Sequence, residues 1–164
     1  MDANTARSSI ALAAALALGL GLGACAHNND NPAAGYGAAG PGSVQEFNQT
    51  VGDRVFFDTD QTDLSATAQA TLDKQAAWLN QYNRYSFTIE GHADERGTRE
   101  YNFALGARRA QAVHDYLVAK GVAASRMKTI SYGKERPVAT CDDISCWSQN
   151  RRAVTVLNGA PGSS

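Results

Sequence analysis

The pattern of hydrophobic and polar residues predicts four strands and two helices. Short apolar or alternating segments are typical of strands, and apolar residues that recur every three or four positions are typical of helices that bury one face. The predicted strands are residues 55–57, 85–90, 127–132 and 153–157. One helix is expected after Ser65, with a stripe of Ala68, Leu72, Ala76 and Leu79, and the other from Thr98 to about Lys120, before Gly121.

The order of these elements predicts the fold class. A β-α-β-α-β-β succession is expected to give an α+β, two-layer βαβαββ sandwich, in which two helices cover one face of a mixed four-stranded sheet. The folded domain is assigned to residues 44–158, which are enough to bury a single core. At its start, residues 45–51 fit either an added strand or a short turn before Gly52.

Residues 1–24 have the pattern of an export signal. An apolar run over residues 10–22 is shorter than a membrane-spanning helix requires. The run leads into LGAC, which resembles the lipobox of bacterial lipoproteins and implies that Cys25 is lipidated. Ala26 stands where Asp often signals retention in the inner membrane, so an outer-membrane location is expected. Plain signal cleavage beside an incidental Cys25 is the alternative.

Residues 26–43 consist mainly of Gly, Ala, Asn and Pro, which is typical of a flexible tether. A coil of this length averages about 25 Å from end to end. With a lipid on Cys25, the tether would hold the folded domain in the periplasm at some distance from the membrane. Residues 159–164 form a short tail.

Composition and charge narrow the function. The chain is 43% hydrophobic and 19% charged, as in a folded globular protein, and its formal net charge of −1 favours neither nucleic acid nor anionic lipid. His27, His92 and His114 are far apart in the sequence, and no HExxH motif is present. No nucleic-acid partner, metal or cofactor is therefore predicted.

Cys141 and Cys146 lie in the segment TCDDISCW. Export places them in an oxidising compartment, and their spacing does not match a zinc site. A local disulfide is the favoured interpretation, and two buried free thiols are the alternative.

Polar residues converge where the first two predicted strands end. Asp58 and Asp60 follow the first strand, and the loop GHADERG, with Asp94, follows the second. Arg109 lies on the apolar line of the second helix, so its charge needs an anion there, either from this chain or from something it binds. Asp94 and Arg109 could clamp the ammonium and carboxylate of a zwitterionic amino acid, or they could pair with each other. The residues alone leave both open.

The segment GHADERGTREYNFALGARRAQAVHDYL resembles the central motif of the OmpA-like peptidoglycan-binding domain family. Further matches extend the resemblance over nearly all of residues 52–158, although Arg99 and Gly106 depart from common family residues. The residues that meet the family pattern are Asn102, Leu105, Arg109, Ala110, Val113 and Leu117, with the segments FDTD, SYGKERP and NRRAV.

The resemblance implies a ligand, a site and partners. The ligand would be the meso-diaminopimelate of the peptidoglycan stem peptide, whose distal ammonium and carboxylate would be held by Asp94 and Arg109. The resemblance also implies a TolB-like periplasmic partner among the Tol components, and a role in tethering the outer membrane to the cell wall for envelope integrity and cell division. Supporting cleft residues would be Asp60, Arg96, Asn102 and Leu105.

Two other functions are alternatives to non-enzymatic binding. A peptidoglycan hydrolase would recognise the same polymer, but the sequence lacks a metal set, a nucleophile with its base, or separated carboxylates for that chemistry. A purely structural envelope scaffold is the other alternative. The chain is expected not to be an enzyme.

Overall fold

A mixed four-stranded sheet forms one layer of the protein. In the computed structural model, which describes residues 40–159, the strand order is β1-β4-β2-β3. Strand β2 pairs in parallel with β3, and β4 pairs antiparallel with both β1 and β2. This arrangement confirms the predicted fold class. The strands are β1 (Arg54–Phe56), β2 (Phe87–His92), β3 (Met127–Gly133) and β4 (Arg152–Leu157).

The two long helices begin at the predicted caps. The hydroxyl of Ser65 accepts a hydrogen bond from the amide of Ala68, and Thr98 does the same for Tyr101, each at 3.2 Å. At the far end of the second helix, Gly121 adopts a φ of +87°, a conformation that glycine accepts without strain. The long helices are α2 (Ala66–Gln81) and α3 (Arg99–Ala119).

The segment before β1 is helical, so its prediction as a strand or turn is wrong. It contains α1 (Val44–Glu46), which continues as a π-helical turn (Phe47–Gly52). Tertiary contacts stabilise this segment, because Phe47 is fully buried and the Glu46 carboxylate accepts a hydrogen bond from the Trp78 indole at 2.8 Å. Neither contact leaves a periodic pattern in the sequence.

A second unpredicted helix, α4 (Ile144–Asn150), precedes β4. Its first turn is capped by Asp143, whose side chain accepts from the Ser145 amide at 2.7 Å. The helix leads directly into Arg151 and then β4. A 3₁₀ turn (Ala124–Arg126) is a further short element.

Helix α3 packs very closely on the sheet. A Cβ at Gly91 would clash with the carbonyl of Gly106, so the two glycines allow the α3 backbone to approach β2. This approach brings the first half of α3 close to the loop that follows β2. The core between helices and sheet includes Leu72, Leu79, Phe87, Ile89, Val113 and Leu117.

The expectations for residues 1–24, Cys25 and most of the tether lie outside the described residues, as does nearly all of the tail. Within residues 40–159, no helix is both long enough and apolar enough to cross a membrane. The domain boundaries proposed from the sequence therefore remain predictions.

Candidate ligand-binding site

A small polar cavity of about 220 Å³ lies between the loop after β1, the loop after β2 and the first turn of α3. The converging loops place three of the predicted site residues, Asp60, Asp94 and Arg96, at this cavity. Its lining residues are Thr59, Asp60, Asp94, Arg96, Gly97 and Tyr101.

Asp94 supplies a largely buried carboxylate, with only 6% of the residue exposed. Its oxygens accept hydrogen bonds from Nη2 and Nε of Arg96 at 2.6 and 3.1 Å, and from Nη1 of Arg151 at 3.3 Å. Burial by itself raises the pKa of Asp94, but the hydrogen bonds from Arg96 and Arg151 outweigh it and hold the pKa below its usual value. The site therefore keeps a fixed negative charge at neutral pH.

Arg109 is completely buried and does not line the cavity. Its guanidinium donates to three backbone carbonyls, those of Gln61, His92 and Asp58, at 3.0, 2.9 and 3.0 Å. Burial, reinforced by the charge of Arg151, lowers the pKa of Arg109 to about 10, so the side chain stays protonated at neutral pH. The buried position of Arg109 predicted an anion as its partner, but in this conformation its partners are main-chain carbonyl oxygens.

The structure does not pair Asp94 with Arg109. Among the described residues, the ion pairs of Asp94 are made with Arg96 and Arg151. The three carbonyl bonds use three of the five guanidinium N–H groups of Arg109 and leave two. The interpretation that the two residues simply neutralise each other is therefore wrong for this conformation.

Arg96 is the cation that lines the cavity, and 41% of its side chain is exposed. Its guanidinium pairs with Asp94 and lies over the indole ring of Trp147, with Cζ 4.2 Å from the ring centroid. The hydrogen bond to Asp94 raises the pKa of Arg96. The cavity therefore presents the Asp94–Arg96 ion pair, with Asp60 as a second carboxylate in its lining.

The other predicted cleft residues have different roles. Asn102 is buried and donates to the carbonyls of Arg96 and Thr98 at 2.7 and 3.1 Å, which fixes the loop before α3. Asp60 accepts from the Tyr101 hydroxyl at 3.2 Å and has a φ of +56°, a strained conformation for a residue with a side chain. Leu105 is buried and does not line the cavity.

Residues outside the predicted set also build the site. Arg151 is buried, donates to the Phe57 carbonyl at 3.0 Å and contacts Asp94 Oδ2, the same oxygen that Arg96 Nη2 contacts. It lies in the NRRAV segment, which carried the family resemblance without any assigned role. Trp147 has no comparable signal apart from its place beside Cys146. The unpredicted residues that line the cavity itself are Thr59, Gly97 and Tyr101.

Cys141 and Cys146 form a disulfide in the structure, with their Cα atoms 5.7 Å apart. The bond joins the segment before α4 to the first half of that helix. Cys146 is buried, with 8% exposed. The disulfide therefore lies next to the helix that carries Trp147.

The profile of the OmpA family matches residues 56–151. This span includes the cavity, α4 and the site arginines Arg96, Arg109 and Arg151. It exceeds half of the chain. The chain therefore belongs to the OmpA family, and the resemblance noted in the sequence is confirmed.

Relatives within this family are peptidoglycan-associated lipoproteins. The one from Mesorhizobium japonicum is 71% identical over 126 residues, covering 77% of this chain and 75% of the relative. The one from Brucella melitensis is 60% identical over 159 residues and covers 94% of this chain and 95% of the relative. The shared span extends well beyond the OmpA profile.

Solved structures agree with the fold. The crystal structure of the peptidoglycan-associated lipoprotein from Burkholderia pseudomallei is 40% identical, with a TM-score of 0.65 over 68% of this chain and 96% of that one. The C-terminal domain of Helicobacter pylori MotB is 20% identical, with a TM-score of 0.62 over 66% and 86% of the two chains. The MotB likeness concerns the fold alone.

Proposed function

We propose that this protein binds peptidoglycan non-covalently by holding the distal amino-acid centre of meso-diaminopimelate in the cavity beside Asp94. The observation that carries the proposal is a buried, ionised carboxylate beside a partly exposed guanidinium in a small polar cavity. The names of the relatives, peptidoglycan-associated lipoproteins, support the same polymer as the target.

The charges of the site complement those of the ligand. The distal centre of diaminopimelate carries an ammonium and a carboxylate on the same carbon. The ammonium would lie against Asp94, with Asp60 nearby on the same cavity wall. Arg96, at the rim, would be the first cation that the ligand carboxylate meets.

Arg109 completes the proposed clamp. Its two remaining N–H groups would receive the ligand carboxylate. Because Arg109 is fully buried in this structure, that contact requires the loop carrying the carbonyls of Asp58 and Gln61 to shift. The strained backbone of Asp60 lies in the same loop and supports such a shift.

Calorimetry with two matched peptides tests this proposal. The stem peptide containing meso-diaminopimelate should bind, and the same peptide with lysine should bind at least about tenfold more weakly, because lysine lacks the distal carboxylate. Equal affinity for both peptides would contradict the proposed recognition.

The Asp94→Asn variant tests the other half of the clamp. It keeps the shape of the side chain but removes its charge, so we expect the diaminopimelate peptide to lose at least about tenfold in affinity. Arg151 would then lack its buried counter-charge, so circular dichroism must show that the variant is folded. Unchanged affinity in a folded variant would exclude Asp94 from the site.

The rest of the chain fits a tethering role. We propose that Cys25 carries the lipid that holds the outer membrane, that residues 26–43 bridge the gap and that the 44–158 domain holds the cell wall, with a TolB-like protein as a periplasmic partner. Palmitate labelling of cells should label the wild-type protein. The Cys25→Ser variant should take up no label and should be absent from the outer-membrane fraction.

We propose that the protein acts by binding and not by catalysis. Purified sacculi incubated with it should sediment with bound protein and release no soluble muropeptides. Any clearing of turbidity would instead favour a peptidoglycan hydrolase.

A further inference from the structure

We propose that Trp147 is a positioning residue for the ligand site, and that the Cys141–Cys146 disulfide makes ligand binding sensitive to reduction. The proposal rests on the function proposed above. It gives a role to α4 and to the disulfide, which the binding clamp itself leaves unused.

Arg96 contacts both the carboxylate of Asp94 and the ring of Trp147. Its guanidinium contacts the Asp94 carboxylate at 2.6 Å and faces the Trp147 ring at 4.2 Å. Because the Arg96 side chain is 41% exposed, these two contacts limit a long side chain that would otherwise sample many rotamers. The indole therefore fixes where the positive charge at the cavity rim lies.

The second step is the position of the indole itself. Its Nε1 donates to the Glu95 carboxylate at 2.7 Å. Glu95 lies in the chain between Asp94 and Arg96, so Trp147 contacts the cavity loop through both its ring face and its N–H. A shift of Trp147 would disturb both contacts together.

The third step is the stability of α4, which has only seven residues. A helix this short does not persist without tertiary restraint. Apart from the contacts of Trp147 itself and the Asp143 cap, two restraints tie it to the chain around it. The disulfide ties its first half to Cys141, and the Asn150 side chain binds the backbone of Val138 and Ala139 at 2.8 and 3.2 Å. Removing the disulfide leaves the N-terminal half of α4 with much weaker restraint.

Reduction of the disulfide is therefore expected to make the position of the Trp147 ring beside Arg96 less fixed, without unfolding the core. The affinity for the diaminopimelate peptide should fall about two- to tenfold, which is the effect of losing one cation–π contact. The core should remain folded, because the disulfide closes a loop of sequence separation 5 and contributes little to global stability.

The test compares variants of the full-length protein by calorimetry with the diaminopimelate peptide. Trp147→Ala should bind about two- to tenfold more weakly, and Trp147→Phe should keep most of the affinity because it retains a ring for Arg96. Ile144→Ala, at an exposed position of the same helix, is the matched control and should bind like the wild type.

A second arm leaves the indole unchanged. The Cys141→Ser/Cys146→Ser double variant should bind as weakly as reduced wild type and should not respond further to reductant. Circular dichroism melts establish that each protein is folded. Equal loss in Trp147→Phe and Trp147→Ala, or unchanged affinity in Trp147→Ala and in the reduced wild type, would overturn this proposal.

The outcomes separate the two proposals. Absence of peptide binding by the oxidised wild type would defeat the proposed function. Tight binding by the wild type together with wild-type affinity in Trp147→Ala would defeat only the positioning role.

Discussion

Two of the three arginines of the candidate site, Arg109 and Arg96, are held in opposite ways. Arg109 is fully buried, and three main-chain carbonyls bind its guanidinium. Arg96 is partly exposed, and its partners are the side chains of Asp94 and Trp147. Main-chain partners belong to the fold, whereas side-chain partners at a surface can be exchanged for a ligand. We therefore expect changes to the deep arginine to affect both stability and binding, and changes to the shallow arginine to affect mainly binding.

The largest expected effect comes from removing the deep arginine. Arg109→Ala should lower the free energy of unfolding by about 3–5 kcal/mol, because three buried carbonyls lose their donor and a cavity remains. Urea unfolding measures this loss.

Arg109→Lys separates charge from geometry in the same measurement. It keeps the charge but loses the planar fork, so it should lower the free energy of unfolding less than Ala does and still fail to bind sacculi. Wild-type stability in Arg109→Ala would show that the carbonyl contacts do not support the fold. Retained sacculus binding in Arg109→Lys would argue against a carboxylate clamp.

Acid should lower the free energy of unfolding by a smaller amount, through the buried residue His92. Its ring is buried, and its two nitrogens have no hydrogen-bond partner among the described residues. Burial, with the charges of Arg152, Arg136 and Arg54, lowers the pKa of His92 from 6.5 to about 4. At a pH between these two values, His92 therefore binds a proton in the unfolded chain but not in the folded protein. The contribution of His92 does not change the free energy of unfolding above pH 6.5, and it lowers that free energy as the pH drops from 6.5 towards 4.

The expected size of this loss is about 2 kcal/mol between pH 7.5 and pH 4.5. Urea unfolding at the two pH values measures it, and His92→Gln is the control because it removes the titrating group. The pH dependence of the variant should be smaller than that of the wild type by this amount. Identical pH dependence in both proteins would show that His92 is not the group responsible.

The comparison also explains what the sequence could and could not predict. The burial of Arg109 follows from helical spacing between Leu105 and Val113, which is a local pattern. Its partners do not follow, because the carbonyls of Asp58 and Gln61 are about fifty positions away in the chain and main-chain groups leave no signature in the residue letters. Burial was predictable, and the choice between a carboxylate partner and carbonyl partners was not.

The shallow side was less predictable for a different reason. Arg96 entered the predicted site only through the family resemblance, and α4 is too short to show a helical period. The disulfide was predictable from the sequence but does not by itself indicate a helix, and the Asn150 contacts depend on the folded chain. The long helices and strands, by contrast, were predictable because their apolar spacing reflects the faces that they bury.

The smallest effect on stability is expected from the shallow arginine. Arg96→Gln should lower the free energy of unfolding by only about 1 kcal/mol, because the Arg96 side chain is 41% exposed and the buried Asp94 carboxylate keeps its ion pair with Arg151. Affinity for the diaminopimelate peptide should nevertheless fall about tenfold, because the cation at the cavity rim is gone. Arg99→Gln is the matched control, since Arg99 forms a surface ion pair with Glu135 at 3.1 Å and does not line the cavity. A loss of affinity shared by both variants would reflect general charge attraction, and would remove the distinction between an architectural and a recognising arginine.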